Sequence, residues 1–357
     1  MRHGIRTPTD CYPKDPHLKY WDKFPKQELT PLGMKGMFEM GIKFRKRYIE
    51  DLKFISPNYN RSEIYLRSAD AARCIQSVSS FMAGFYLNSK DTFPEAENWP
   101  SNWTPVPIHT HPGEDDKLLD VAYSCPKSHE QFYKRHYNQI FQEWNKNHTD
   151  FYKLLMKETA ICGPVTYYTM ADFFKCIRTE KEAYNFTLPS WINDEVYSQS
   201  MELLDTYEDY IYGGENFGMI QDHELTRLLV GLLLKTMIED MDNSINEVPN
   251  TEKFYVYGAH DFNIAALLRL FECKREILGF KDADFAATIV LELWKDKLGK
   301  YSIQVHYYPN SVEDPINITK FITGCPKTEN CPYEAFVRRK KSYLPDDINS
   351  ECNNTRE

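Results

Sequence analysis

The chain has 357 residues, 42% of them hydrophobic, and carries a formal net charge of −9. Size and apolar content suffice for a large core plus a smaller second region and exclude a disordered chain, while the acidity weighs against nucleic acid or anionic membranes as partners. No apolar run reaches membrane-spanning length; Leu228 to Leu234 reads as one side of a helix around Gly231.

Arg2-His3-Gly4-Ile5-Arg6-Thr7-Pro8 opens the chain. It sets a nucleophile-capable imidazole between two guanidiniums, whose donor forks fit a tetrahedral anion, and Gly4 removes the side chain that would crowd the attacked atom. Ile64-Tyr65-Leu66 predicts a short strand. Ser68-Ala69-Asp70 then starts a helix continuing through Cys74, Val78, Phe81, Met82 and Phe85 at helical spacing. Arg67, at that strand exit, has two readings: an ordinary ion-pair residue, or an anion ligand facing the same crevice as His3. Asp70 orients an arginine or caps the helix.

Phe132 to Trp144, Phe151 to Glu158, Met170 to Arg178 and Asp194 to Tyr212 are predicted helices, interrupted at Cys162-Gly163-Pro164 and Leu188-Pro189. Lys253 to Tyr257 predicts an aromatic and β-branched strand, Gly258-Ala259 its exit, and His260-Asp261 the start of a helix built on Ile264 to Leu268. Alone, a His-Asp pair is ordinarily a cap beside a core histidine. At a strand end in an α/β sheet, opposite the opening motif, it completes a ligand crevice. Ala286 to Glu292 and Tyr301 to Tyr308 predict a hairpin across Lys297-Leu298-Gly299-Lys300, and Arg338-Arg339-Lys340-Lys341 is a solvated surface run. The two chemical clusters therefore assign an α/β catalytic domain to residues 1–115 and 225–335, with a mainly helical cap, 116–224, inserted between them.

The chain resembles the histidine acid phosphatase family, most closely the animal enzymes of prostatic and lysosomal type. The likeness rests on Arg2 to Pro8, Tyr12-Pro13-Lys14-Asp15-Pro16, Leu29-Thr30-Pro31-Leu32-Gly33, Tyr65 to Asp70, Asn185 to Trp191, His260-Asp261 and the cysteine-rich end. The resemblance implies a phosphoglycerate-mutase-like mixed sheet flanked by helices. It makes His3 the nucleophile of a phosphohistidine, Arg2, Arg6, Arg67 and His260 the phosphate ligands, and Asp261 the proton donor. Small phosphomonoesters are the implied substrates, with phosphorylated proteins or lipids as further ones. No metal or cofactor is called for, because arginines can neutralise the transferred group through attack and departure. The alternative is a non-catalytic, secreted phosphate- or phospholigand-binding protein of the same fold. Phosphoglycerate mutases share the Arg-His-Gly opening; chain length, the insertion and His260-Asp261 favour the acid phosphatase.

Three departures from the family bear on the site. Ile5 stands where an aspartate is usual. Phe262 replaces the usual threonine, either walling the leaving-group pocket, which would favour aryl or apolar esters over polyol phosphates, or packing beneath the loop. Only Met1 precedes Arg2, where the family has a hydrophobic strand, so either that strand lies outside this sequence or the fold tolerates a very short one.

Nine cysteines and six Asn-x-Ser/Thr sequons point to a secreted or lysosomal protein with a signal peptide. The resemblance pairs Cys125 with Cys352, which ties back the tail 336–357, Cys176 with Cys273, and Cys325 with Cys331. Cys11, Cys74 and Cys162 remain, and none of the cysteines has zinc-site spacing. Asn60, Asn147, Asn185 and Asn317 are the expected glycosylation sites; Asn353 also qualifies, and Pro105 weakens Asn102. Trp103 to His109 resembles a stretch at the family's two-fold interface, which implies a homodimer through Trp103 and His109.

Overall fold

The computed structural model describes residues 1–94, 96–100 and 103–353. Strand β1, Ile64–Ser68, pairs in parallel with β2, Phe254–Gly258, placing Ile64 opposite Phe254 and Ser68 opposite Gly258. Strand β3, Thr288–Lys295, runs antiparallel to β4, Tyr301–Tyr308, and two short strands, β5 (Ile316–Asn317) and β6 (Cys331–Pro332), add to β4. The hairpin expected from Ala286 to Tyr308 thus forms, with its first strand extending to Lys295. Asp296 closes its turn by accepting from the backbone N–H groups of Leu298 and Lys300.

Met1 to His3 join the two sheets. On one side Ala259 N–H donates to Met1 O at 2.8 Å and His3 N–H to Ala259 O at 3.1 Å; on the other Arg2 N–H donates to Ala287 O at 2.8 Å and Ala286 N–H to His3 O at 3.1 Å. The segment runs parallel to the β2 exit. Within this stretch Arg2 forms an isolated parallel bridge to Ala259. Beyond Met1 a slot of about 600 Å³ separates β2 from β3, lined by Phe44, Tyr48, Phe254, Val256, Val290 and Trp294 among others.

Helices cover both faces. Pro31–Arg45 packs on Ala72–Phe85, burying Met37, Phe44, Val78 and Phe81 against β1 and β2. His223–Ile245 and Asp261–Leu270 pack together over Val305 and Tyr307 on the second face. A separate core of Tyr152, Leu155, Tyr167, Phe173, Phe174 and Leu204 belongs to the helices Thr149–Thr159, Tyr167–Arg178 and Asp194–Ile211, and Tyr12 inserts into it. The helix expected over Phe132 to Trp144 is two, Pro126–His136 and Gln139–Asn147. Asn138 divides them, its side chain accepting from Phe141 N–H as the second helix's N-cap.

Disulfides join Cys125 to Cys352 and Cys325 to Cys331 as the resemblance implied, but Cys176 pairs with Cys11 and not with Cys273. Cys176 belongs to Tyr167–Arg178, whose neighbour here is the loop after the opening motif. Cys273 lies in the body core with Leu268 and Phe271, where burial pushes its thiol up to about 12. Cys74, Cys162 and Cys273 are free. Asn60, Asn147, Asn185 and Asn353 are exposed and Asn317 is half-buried, its amide donating to Glu329 O; Asn102 lies outside the described residues. Non-reducing peptide mapping is expected to recover Cys11 linked to Cys176 and Cys273 as a free thiol; a Cys176–Cys273 peptide would refute the assigned pairing.

Candidate active site

The grip on Met1 to His3 delivers His3, 3% exposed, to the strand exits beside the N-terminus of Asp261–Leu270. Its Nδ1–H donates to Gly4 O at 2.8 Å, which leaves the Nε2 lone pair free. Burial, then the charges of Arg2 and Arg73, hold the imidazole well below its ordinary pKa and outweigh Asp261 and the Gly4 bond, which favours its neutral form. The loop after it crosses the first turn of Pro31–Arg45 without an intervening side chain. A Cβ on Gly4 would lie 2.6 Å from Gly33 O, and one on Gly33 2.2 Å from Ile5 O. Thr30 caps that helix by accepting from Gly33 N–H and donates to Ile5 O, while Gly4 N–H donates to Ser77 Oγ.

Arg2 meets Asp261 at 2.7 Å, donates to Ala283 O, and lies 4.3 Å over the Phe285 ring. Arg6 donates to Thr7 O; burial first, then Arg2 and Arg73, push it down to about 10, still a cation at any pH relevant here. Arg67 is not a free cation of the site. It is buried, pairs with Asp116 at 2.7 Å and donates to Ser68 O, so its ion-pair reading is the one this geometry fits. The third cation acting on His3 and Arg6 is Arg73, in the first turn of Ala72–Phe85, whose buried Nε has no hydrogen-bond partner. The signal in the sequence was its place at a helix N-terminus just past a strand exit, facing the crevice rather than leading into it.

His260 caps Asp261–Leu270, and its backbone N–H donates to Asn263 Oδ1. Its Nε2 lies 2.9 Å from Asp120 Oδ1 and its Nδ1 3.8 Å from Cys74 Sγ, so both ring nitrogens are engaged inside the protein; it can act on an anion through charge but has no spare N–H. Burial opposes that charge, yet the bonds to Asp120 and Cys74 push the pKa up to about 9. Asp261 goes the other way: although burial raises it, Arg2, His3, His260 and Lys175 hold it below the usual carboxylate range. Phe262 does not wall the pocket. It is buried between His260 and Tyr212, stacked on each at 5.5 and 5.6 Å, because its helix turns it into the core. The aromatic ring by the nucleophile is Phe285, 5.9 Å from His3.

Lys175 and Asp172 of Tyr167–Arg178 extend their charges to Asp261 and Arg6 respectively. The site therefore brings together an imidazole with its Nε2 unengaged, several fixed cations and the Asp261 carboxylate, a set of groups that suits a tetrahedral anion. Among the described residues, Cys11, Asp15, Cys176 and Glu180 could bring metal-ligand atoms within 4.8 Å of one another, but the two sulfurs are already bonded together.

Residues 1–308 match the family model of the histidine phosphatase superfamily (branch 2). The chain is 28% identical to a lysosomal acid phosphatase of Xenopus laevis, covering 99% of this chain and 77% of that protein, and 27% identical to a prostatic acid phosphatase of Homo sapiens, covering 99% and 86%. Among solved structures it is similar in fold to the phytase from Citrobacter braakii (TM-score 0.64, 15% identity, 99% of this chain and 98% of that one) and to a Klebsiella phytase (TM-score 0.62, 16% identity, 97% and 96%).

Arg67, within β1, and Arg73, just after it, should separate cleanly. Arg73→Ala is expected to weaken inorganic phosphate binding, read by calorimetry, by roughly 10-fold or more, with little change in unfolding temperature. Arg67→Ala should instead destabilise the fold by about 3–5 kcal/mol, because it strands Asp116 in the interior. Equal loss of phosphate binding in a fully stable Arg67→Ala protein would reverse the assignment.

Proposed function

Because the chain belongs to the histidine phosphatase superfamily (branch 2), we propose that it is an acid phosphatase that hydrolyses phosphate monoesters through a phosphohistidine at His3. One observation carries the mechanism: His3 is tied through Nδ1 to Gly4 O and kept neutral by burial among cations, so Nε2 is a nucleophile even in acid. Nε2 attacks phosphorus, the P–N bond forms and the ester P–O bond breaks. Arg2, Arg6 and Arg73 balance the charge on the equatorial oxygens, and His260 adds a nearby positive charge.

Asp261 is the group that handles the leaving oxygen's proton, but in the free site it is ionised, so the proton must arrive with the substrate. A phosphate monoester loses its second proton near pH 6, so in mild acid it enters as a monoanion carrying one. Bound phosphate also competes for Arg2, which relaxes the hold on Asp261 and lets it take up and pass on that proton. In the second step Asp261 accepts a proton from water, oxygen bonds to phosphorus, and the P–N electron pair returns to Nε2. The cations supply the electrostatic stabilisation, and no metal or cofactor enters the scheme.

The burial of His3 supports small monoesters ahead of phosphorylated proteins or lipids, and Phe285 supports aryl over polyol leaving groups. Lys175 and Asp172 support reading the helical insertion as a cap over the leaving-group side. Three disulfides and exposed sequons support passage through the secretory route, with glycosylation and either secretion or lysosomal residence. Trp103 is 41% exposed with its ring tilted against Trp99, and His109 stacks on Tyr65 against the outer edge of β1, which supports a homodimer through this segment.

The kcat/KM for an aryl phosphate should plateau at roughly pH 4–6 and fall above about pH 6, as the monoanion disappears and the dianion meets ionised Asp261. Activity that vanishes with a chelator and returns only with a divalent ion would refute the scheme. His3→Ala should lose the acid-labile phosphoenzyme seen by rapid quench, and at least about 10³-fold in rate. Asp261→Asn should slow alkyl esters by about 10²–10⁴-fold while affecting activated aryl esters less. For assembly, sedimentation should show a dimer that Trp103→Glu splits; a monomer at micromolar concentration would remove the interface.

A further inference from the structure

The loop that ends at Asp120 is built with more care than a connection needs. Asp116 Oδ1 accepts from the N–H groups of Leu118 and Leu119, its Oδ2 takes Arg67, and its backbone carbonyl accepts from Ser124 Oγ. Asn263, from the helix that His260 caps, donates to Leu119 O. The result is a fixed position for the next residue, Asp120, whose side chain is 8% exposed and bonded to a histidine that is itself 7% exposed.

Resting on the phosphatase reading above, we propose that Asp120 is a positioning residue for His260, holding it as a doubly protonated, oriented imidazolium beside the nucleophile. Every group around the ring is consistent with that state. From the loop, Asp120 Oδ1 faces Nε2 at 2.9 Å; from Ala72–Phe85, Cys74 Sγ faces Nδ1 at 3.8 Å while pointing its own proton at Ala259 O. With the Cys74 proton directed at Ala259 O, both ring nitrogens face acceptors, a pattern the imidazolium meets, whereas a thiol donating to Nδ1 would suit the neutral ring, and the titration below separates the two. Phe262 stacks on one face and fixes the ring plane, His3 meets it edge-on at 5.9 Å, and Asp261 is the remaining charge on its own helix.

The arrangement gives the two neighbouring histidines opposite duties. His3 must lose its charge to attack, and His260 must keep one to favour the incoming anion and to hold Asp261 ionised between turnovers. Without the Asp120 carboxylate, burial alone would discharge His260 within the working range of the enzyme. Arg67, through Asp116, belongs to the same construction one step further from the chemistry.

The deciding measurement is a histidine-selective NMR titration of the phosphate-free full chain, which needs no turnover. In the wild type, His260 should stay protonated from about pH 4 to 8; in Asp120→Asn it should titrate at or below the ordinary value of about 6.5. Asp120→Glu should restore the protonated state. The activity of Asp120→Asn should then show an added ionisation, falling about tenfold per pH unit once His260 discharges, while its acid plateau stays closer to wild type. A wild-type His260 that titrates near 6.5, or an Asp120→Asn protein whose His260 is unchanged, would overturn the proposal. If Asp120→Asn fails to fold, the wild-type titration still decides. A protein with the predicted titration but no phosphatase activity would fail the function and leave this assignment standing.

Discussion

The site depends on how firmly three residues are gripped. Met1 to His3 have no strand length of their own, yet backbone hydrogen bonds reach them from Ala259 on one side and from Ala286 and Ala287 on the other. At about 1 kcal/mol net apiece such bonds are modest, but together they fix the peptide plane on both sides of Arg2 and hence the directions of Arg2 and His3. Gly4 and Gly33 then let the loop turn over the first turn of the neighbouring helix at a distance no side chain would permit. Geometry at His3 is therefore set by the main chain, and side chains are left to set its charge.

Charge is set by contrast between near neighbours. His3 and His260 are 5.9 Å apart and both buried, but one is surrounded by guanidiniums and the other is backed by a carboxylate. Burial works against the cation in both; the partner decides which histidine yields. Asp261 lies next to His260 in the chain and is held ionised by Arg2 first and by His260 and Lys175. Pushing titratable groups apart in this way lets a nucleophile, a fixed cation and a proton carrier coexist within a few ångströms.

What could be read from the sequence were features decided by adjacent residues. The opening motif, the strand exits before His260 and Asp261 and the late hairpin all follow from local pattern. What could not be read was which of several similar groups finds a distant partner. Arg67 and Arg73 flank the same turn, and only Asp116, 49 residues from Arg67, withdraws the first from the crevice. Phe262 was eligible to wall the pocket until packing on Tyr212 turned it inward, and Phe285, which nothing in the local pattern singles out, is the ring beside His3. Cys176 has Cys11 as its partner because the loop after the motif, not the end of Asp261–Leu270, runs along its helix. Asn138 splits a region of continuous helical pattern because a cap satisfies backbone donors that a through-running helix would have used internally.

The order in which these parts leave the ribosome has a consequence. The seats for His3 lie at positions 259 and 286–287, whereas the helical core around Tyr12 is drawn almost wholly from residues 144–207. Since compact units fold as they are synthesised, that core can close around Tyr12 while His3, nine residues before it, still has nothing to lie against. Cys125 must likewise wait for Cys352. A nascent chain halted before position 286 would hold the residues of that helical core but lack the second set of backbone partners of Arg2 and His3, so the candidate site closes late in translation.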